Sequence, residues 1–302
     1  MSSDPKTSRG GPAARPPAGK PAKLAPGLYV VATPIGNLSD VTLRALDVLA
    51  LADLVVCEDT RVTRKLLERY AISAKLFAYH DHNADEVRPR LLGRLAENAS
   101  IVLVSDAGTP LVSDPGYKLV AAALAAGHRV YPVPGASAAL AALVAAGLPS
   151  DRFFFEGFLP PKSGQRRSRI AELAAIPATL IFYETGPRLA ASLADLAAEL
   201  GPRAAAICRE LTKLFEETRR GSLPELAAHY AGAAAPKGEI VIVVGPPVQA
   251  PAEIGDLDAR LKVALARASV RDAVAEVSAE TGLKRKEVYA RALALAGKGA
   301  ER

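Results

Sequence analysis

Gly27-Leu28-Tyr29-Val30-Val31-Ala32-Thr33-Pro34-Ile35-Gly36-Asn37 is the stretch on which the fold turns. Leu28 to Ala32 is a continuous β-rich apolar run with no polar alternation, and it stops at Thr33-Pro34. A run of that kind reads as a strand buried on both faces, as in a parallel sheet. The same sign recurs downstream. Leu54–Cys57 breaks at Glu58-Asp59-Thr60-Arg61, Ser100–Val104 runs into Ser105-Asp106-Ala107-Gly108-Thr109-Pro110, and His128–Val133 ends at Pro134-Gly135. Apolar residues at helical spacing fill Asp40–Leu51, a second helix runs to Tyr70, and a third covers Gly116–Ala126. Strands alternating with helices predict a βαβ architecture, hence an α/β fold.

Pro132-Val133-Pro134-Gly135 breaks the pattern, and a helix of small residues follows to Ala146. The predicted boundary lies here, giving an N-terminal α/β domain over 27–134 and a second over 135–245. Strand signals in the second half are Phe153–Phe158, Ala178–Tyr183, Arg203–Cys208 and Glu239–Val244, with Pro160–Arg169 read as a basic loop. Pro246–Ala252 reads as a linker and 253–302 as a helical tail. In that tail, Ser269–Val288 has the helix, glycine turn and basic second helix of a helix-turn-helix. A plain helical hairpin fits it equally.

The chain has 302 residues, half of them hydrophobic and 23% charged, an ordinary globular composition for about two domains. Aromatics are scarce at 5%, with no Trp, which weighs against a binder built on stacking platforms. The net charge of +6 sits at the ends. Residues 1–26 hold five basic groups against one acid and residues 255–302 ten against seven, leaving the body near −1. The Pro- and Gly-rich stretch 1–26 reads as a disordered basic leader. Cys57 and Cys208, 151 positions apart among apolar neighbours, form neither a disulfide framework nor a zinc ribbon and suit a reducing cytoplasm. No signal sequence is expected, and the longest apolar stretch, Ala138–Leu148, is too short for a bilayer.

Ligands of parallel sheets bind beyond the carboxyl ends of the strands, which directs attention to the three strand-end loops. The first has one glycine and a proline where a dinucleotide fold needs G-x-G-x-x-G, and no Walker A motif occurs, so NAD and ATP readings fall away. Ser105–Gly116 reads either as a stiff ligand loop for an ammonium and a hydroxylated ring, or as plain Asx and Pro turns. His80-Asp81-His82-Asn83 offers two imidazoles at i, i+2 without a third ligand, so no metal site is expected and a loop-anchoring or substrate contact is preferred.

Six motifs appear in order: Thr33–Asp40, Cys57–Arg61, Ser105–Pro110 with Ser113–Gly116, Pro134–Ser137, Tyr183–Thr185 and Arg209–Lys213. Together they resemble the ribosomal RNA small subunit methyltransferase I family, within the tetrapyrrole methylase superfamily, over about residues 27–245 plus the tail. The resemblance implies two α/β domains with S-adenosylmethionine in the cleft between them, a small helical extension and a homodimer. It implies 2′-O-methylation of a cytidine in the decoding region of 16S rRNA, with the 30S subunit as partner and no membrane. By position, Pro34, Asp106, Ala107, Gly108, Thr109, Ser137, Ala138, Phe182, Tyr183 and Leu211 would line the cofactor. Rival readings are a relative acting on a small tetrapyrrole or diphthine, and a non-catalytic ribosome-assembly binder.

Methyl transfer to a ribose hydroxyl needs donor and acceptor in line and a route for the hydroxyl proton. The motif loops offer Asp59, Asp106, Glu184, Glu210 and Lys213 as bases, with Asp106 excluded if it holds the cofactor's amino group. Arg61 and Arg64 read as phosphate ligands or as plain helix-surface arginines. Lys162, Arg166, Arg167 and Arg169 make the densest basic run of the body, read as a flexible clamp on RNA phosphates.

Overall fold

The computed structural model describes residues 23–80, 82–113, 116–247, 254–281, 283 and 285–297. They fall in two compact units, one ending at Gly245 and one beginning at Pro246. Most of the leader read over 1–26 lies outside the described residues.

The first sheet is built from β1 (Gly27–Val31), β2 (Leu54–Cys57), β3 (Leu76–Ala78), β4 (Ser100–Val104) and β5 (Val130–Val133). Their spatial order is β3-β2-β4-β1-β5, and every pairing is parallel. The intervening helices are α1 (Leu43–Leu51), α2 (Thr60–Arg69), α3 (Ala84–Ala96) and α4 (Tyr117–Ala125). Side chains alternate across the pleat. Leu28, Val56, Ile101 and Leu103 face α3 and α4, while Tyr29, Val31, Val55 and Val104 face α1 and α2. Both faces are covered, which is why these strands read as unbroken apolar runs. Thr42 caps α1 and Asp59 caps α2 through side-chain oxygens that accept from the first-turn N–H groups.

The chain passes to the second sheet across Pro134–Ser137 and continues as α5 (Ala138–Ala146), β6 (Phe153–Phe158), α6 (Ser163–Leu173), β7 (Thr179–Thr185), α7 (Gly186–Leu200), β8 (Ala204–Arg209), β9 (Glu217–Ser222), α8 (Leu223–Ala231) and β10 (Glu239–Val244). The strand order is β6-β7-β10-β8-β9, parallel only between β6 and β7. One face buries Leu180, Phe182, Ile207 and Ile242 under α6, α7 and α8. The other buries Ile181, Cys208, Val241 and Val243 against the small residues of α5 and against Ile35 and Leu211.

The sequence reading lacks β3, and three further segments differ from it. Pro160–Arg169 is not a loop, because Ser163 opens α6 and Ile170 and Leu173 bury its apolar side. Its arginines look loop-like in sequence only because their carboxylate partners lie elsewhere in the chain. β9 is a polar edge strand with no apolar alternation to betray it. α3 carries an internal proline, Pro89, yet Val87, Leu91 and Leu95 recur at i, i+4 and hold it on the core.

The second unit has α9 (Ile254–Leu265), α10 (Val270–Thr281) and α11 (Arg285–Gly297) around their own core of Leu261, Ala273, Val277 and Val288. Ser269 accepts from the Asp272 N–H and donates its hydroxyl to the Asp272 carboxylate, closing the start of α10. Gly282 and Lys284, in the predicted turn, lie outside the described residues. No helix among the described residues is long and apolar enough to cross a membrane.

Candidate active site

The carboxyl ends of β1 and β4 are stitched together by a two-way bridge. Thr33 N–H donates to Gly108 O (2.9 Å) and Gly108 N–H to Thr33 O (3.0 Å). The Thr33 hydroxyl donates to Ser105 O, the Ser105 hydroxyl to Gly108 O, and the Thr109 hydroxyl to Ala136 O in the segment leading to α5. The stiffness expected of Ser105–Pro110 is thus hydrogen-bonded to its neighbours. Leu111 and Ser113 sit at φ +73° and +63°, a strained backbone of the kind found at ligand sites.

Against this stitched rim opens a cleft of about 270 Å³. One wall is Ile35, Asp106, Ala107, Gly108, Thr109, Val112 and Ser113; the other brings Ala138, Phe158, Tyr183, Cys208, Leu211 and the start of β10 from Gly238 to Val241. Of the residues expected at a cofactor, Asp106, Ala107, Gly108, Thr109, Ala138, Tyr183 and Leu211 lie in it. Pro34 and Ser137 are not part of its lining; Pro34 is buried, and Ser137 precedes the first turn of α5 without a side-chain capping bond. Phe182 is a correction: it is fully buried among Leu189, Leu193 and Ile242 on the far face of the second sheet. Consecutive strand residues point to opposite faces, so Tyr183 and Phe182 could not both reach the cleft.

Asp106 is the carboxylate that distinguishes the cleft. Burial, and then the nearby charge of Asp59, push its pKa up, while a hydrogen bond from the Asp59 N–H to Oδ1 (3.1 Å) pulls the other way. Asp59 itself is held down to about 2 by hydrogen bonds from the Arg61 side chain and backbone. It serves as helix cap and ion-pair partner. Arg61 and Arg64 stand exposed on α2, with the Arg61 guanidinium 2.6 Å from Asp59.

Glu184 borders the cleft, yet its carboxylate turns to α7. It accepts from the Ser192 hydroxyl and from the Thr185 N–H (2.8 Å), and Arg188 Nε lies 3.3 Å away. Glu210 and Lys213 meet at the edge of the cleft, where Lys213 Nζ donates to Glu210 Oε1 and Glu239 Oε2, each at 2.9 Å. Burial works to lower the Lys213 pKa, but the two carboxylates outweigh it and the net shift is upward. Lys213 in turn keeps Glu210 below the ordinary carboxylate range. Cys208 lines the cleft as a neutral thiol, its pKa raised chiefly by burial.

The basic run has little free charge. Arg166 is buried and pairs with Asp195 (2.7 Å), Arg167 with Glu199 (2.7 Å), and Arg169 forks onto Glu156 (2.6 and 2.8 Å) and also reaches Glu172. A flexible clamp is therefore corrected to a rigid, internally neutralised helix. Lys162, at the exposed N-terminus of α6, has no carboxylate partner among the described residues. Near the rim, Asn83 anchors its loop, accepting from His80 N–H (2.9 Å) and donating to Ala78 O (3.0 Å). No cluster of three metal-ligating side chains occurs among the described residues.

Ile35, Val112, Ser113 and Thr185 lie in loops and motifs singled out in sequence but are not named individually there, and the cleft residues that have no such signal are Phe158, Cys208 and Gly238–Val241. The last of these lie at the start of a strand, and the rule that ligands sit beyond carboxyl ends gives no signal for them.

Residues 27–227 match the family of Tetrapyrrole (Corrin/Porphyrin) Methylases, and residues 251–296 match the RsmI C-terminal HTH domain. The Ribosomal RNA small subunit methyltransferase I of Mesorhizobium japonicum is 55% identical over 273 residues, 90% of this chain and 93% of that protein. The protein of the same name from Erythrobacter litoralis is 52% identical over 90% of this chain and 96% of its own. The chain belongs to the ribosomal RNA small subunit methyltransferase I family. A solved structure shares the fold of this methyltransferase family member: the uroporphyrin-III C-methyltransferase of Thermus thermophilus, in complex with S-adenosyl homocysteine. Its TM-score is 0.52 at 21% identity, over 72% of this chain and 96% of that one. The α/β fold and the C-terminal helices expected of the family are those described above.

Proposed function

We propose that this protein transfers the methyl group of S-adenosylmethionine to the ribose 2′-hydroxyl of a cytidine in the decoding region of 16S rRNA. Family membership supports the reaction class, and the observation that carries the site is Asp106 on a hydrogen-bonded rim of a cleft with mainly apolar walls, where the other lining carboxylates, Glu184 and Glu239, are bonded to Ser192 and Lys213. A nucleoside sulfonium with an amino-acid arm needs apolar walls for its ring and an anion for its ammonium. Ile35, Ala138, Leu211 and Val241 supply the first and Asp106 the second. S-adenosylmethionine, when bound, supplies an electrophilic methyl carbon. Asp106–Thr109, Ala138, Tyr183 and Leu211 would hold it there.

The chain's own contribution is alignment. The Thr33–Gly108 bridge and the Thr109–Ala136 bond fix three loops as one body, so that an acceptor seated at the mouth meets the donor in a constant geometry. Asp59, Glu184, Glu210 and Lys213 are engaged in ion pairs or hydrogen bonds around this body. Arg61, Arg64 and Lys162 offer exposed cations to RNA phosphates. The reading includes a homodimer in the cytoplasm, supported by exposed Val144, Leu214 and Phe215 as apolar surface for a second copy.

The test is transfer of labelled methyl to 30S subunits that lack the modification, mapped by alkaline hydrolysis, which a 2′-O-methyl resists. One protected linkage at a decoding-region cytidine is the expected result. Cofactor binding with no transfer to 30S subunits or naked 16S rRNA overturns the reading.

A further inference from the structure

β6 contains one residue too many for its pairing with β7. Phe155 opposes Ile181 and Gly157 opposes Phe182, so a bulge lies between Phe155 and Gly157. Ahead of it the strand alternates regularly. Phe154 packs on the helix-covered core, Phe155 on the cleft side, and Glu156 pairs with Arg169 of α6. Unbroken alternation would place Phe158 on the helix side. The bulge turns it back, and Phe158 opposes Tyr183 and lines the cleft with it. Gly157 permits this at φ +79°, where a Cβ would also lie 2.9 Å from the Ser113 hydroxyl. Bulges of this kind re-aim side chains beside active sites.

The result is an aromatic step in a protein with few aromatics. Tyr183 meets Phe155 edge-on at 4.9 Å and Phe158 at 5.7 Å, and Phe158 is still 51% exposed. Phe158 thus offers the uncovered half of its ring at a cleft that it lines. Four residues on stands Lys162, exposed and without a carboxylate partner among the described residues, where its α6 neighbours Arg166, Arg167 and Arg169 are all paired. A free ring followed by a free cation matches a base and its phosphate.

Resting on the methyl-transfer reading above, we propose that Phe158 is the platform on which the acceptor nucleobase of the RNA stacks, holding its ribose toward the cleft. The half-exposed position at the mouth assigns the ring to the acceptor. The residues proposed for the donor are Asp106–Thr109, Ala138, Tyr183 and Leu211, of which Phe158 meets Tyr183 edge-on.

The experiment uses the full chain with Phe158→Ala, Phe158→Leu and Phe158→Tyr. It measures KM and equilibrium binding for unmodified 30S subunits, and Kd for S-adenosyl homocysteine by calorimetry. Loss of one stacked base corresponds to roughly a 5- to 100-fold weakening. The expected result is that rise in KM and Kd for the subunit in Phe158→Ala and Phe158→Leu, recovery in Phe158→Tyr, and an unchanged Kd for S-adenosyl homocysteine. A matching loss of S-adenosyl homocysteine affinity would assign the ring to the donor and overturn the proposal. So would no change in either constant. Wild-type protein that binds subunits but transfers nothing fails the enzyme reading alone, because the binding ratio of wild type to variant still reports on the platform.

Discussion

The backbone N–H of Asp59 donates to the carboxylate of Asp106 over 3.1 Å, tying the loop after β2 to the loop after β4. Burial leaves the Asp106 carboxyl above its ordinary range in spite of that bond, while the hydrogen bonds and ion pair with Arg61 hold Asp59 below it, so two neighbouring carboxyls are displaced in opposite directions. Such splitting of a pair marks a site where environment sets different roles.

Asp106 holds its proton more tightly in the folded protein than in the unfolded chain, because burial and Asp59 disfavour its charge. For an acid with a raised pKa, folding is penalised as pH rises from the ordinary 3.8 through the folded value, and the penalty is complete above that value. Asp106→Asn keeps an oxygen for the Asp59 N–H. The variant is expected to be more stable than wild type at pH 7, with the advantage vanishing below about pH 4. Its affinity for S-adenosylmethionine should fall roughly tenfold or more, as one charged hydrogen bond is lost. Thermal melts across pH together with calorimetry check both halves. A variant less stable at pH 7 with unaltered affinity contradicts the assignment.

Lys213 crosses the edge of the cleft and lies over the first loop. A Cβ on Gly36 would come within 2.5 Å of Lys213 Cγ and 2.9 Å of the Thr212 hydroxyl. The raised pKa of Lys213 means that its ion-pair contribution is fully present below 10.5 and lost as pH climbs through the higher folded value. It remains a cation at working pH. Lys213→Arg should therefore retain turnover within about threefold, since general-base catalysis, worth about 10²–10⁴, is not what it supplies. Gly36→Ala forces the loop off Lys213 and should cost about 1–3 kcal/mol in urea denaturation. A hundredfold loss of kcat in Lys213→Arg would restore the base reading.

Much of this was legible in the sequence because parallel strands covered on both sides are apolar throughout, as Leu28–Ala32 and Ile101–Val104 are. The loop after β4 carries one of the motifs and places Asp106–Thr109 at the cleft, whereas Leu211 follows β8, a strand with antiparallel partners only, and is named through the family resemblance. What escaped depends on partners distant in the chain. Arg166 reads as a free charge until α7 brings Asp195 to it, across 29 positions. Phe182, expected at the cofactor, follows strand alternation into the core, and Phe158, for which nothing is expected, reaches the cleft through a bulge. Glu239 opens a strand instead of closing one, and reaches the cleft only through antiparallel pairing of β10 with β7.

Glu184 and Ser192 form a buried pair between β7 and α7, both nearly inaccessible. Ser192→Ala removes a hydroxyl donor from an enclosed carboxylate, which should cost about 1–3 kcal/mol in chemical denaturation. Glu184→Gln preserves shape and should lose stability while keeping S-adenosylmethionine affinity. If Glu184→Gln stayed as stable as wild type but lost turnover a hundredfold, Glu184 would belong to the chemistry instead of to the packing of α7.

Arg166 and Lys162 stand four positions apart on α6 and should answer a salt titration differently. Arg166 is 4% exposed and, besides Asp195, donates to Pro161 O, so its removal strands a partly buried carboxylate. Breaking a buried pair from one side costs about 3–5 kcal/mol, and Arg166→Ala should lose stability on that scale. What remains folded should bind RNA with the wild-type salt dependence, because the guanidinium was already neutralised. Lys162→Ala should melt as wild type does. Its affinity for 30S subunits should fall, and the slope of log affinity against log salt should drop by about 0.7–0.9, the share of one phosphate contact. An unchanged slope in Lys162→Ala would mean that Lys162 makes no phosphate contact, and a shallower one in Arg166→Ala would mean that RNA reaches a guanidinium already buried and paired with Asp195.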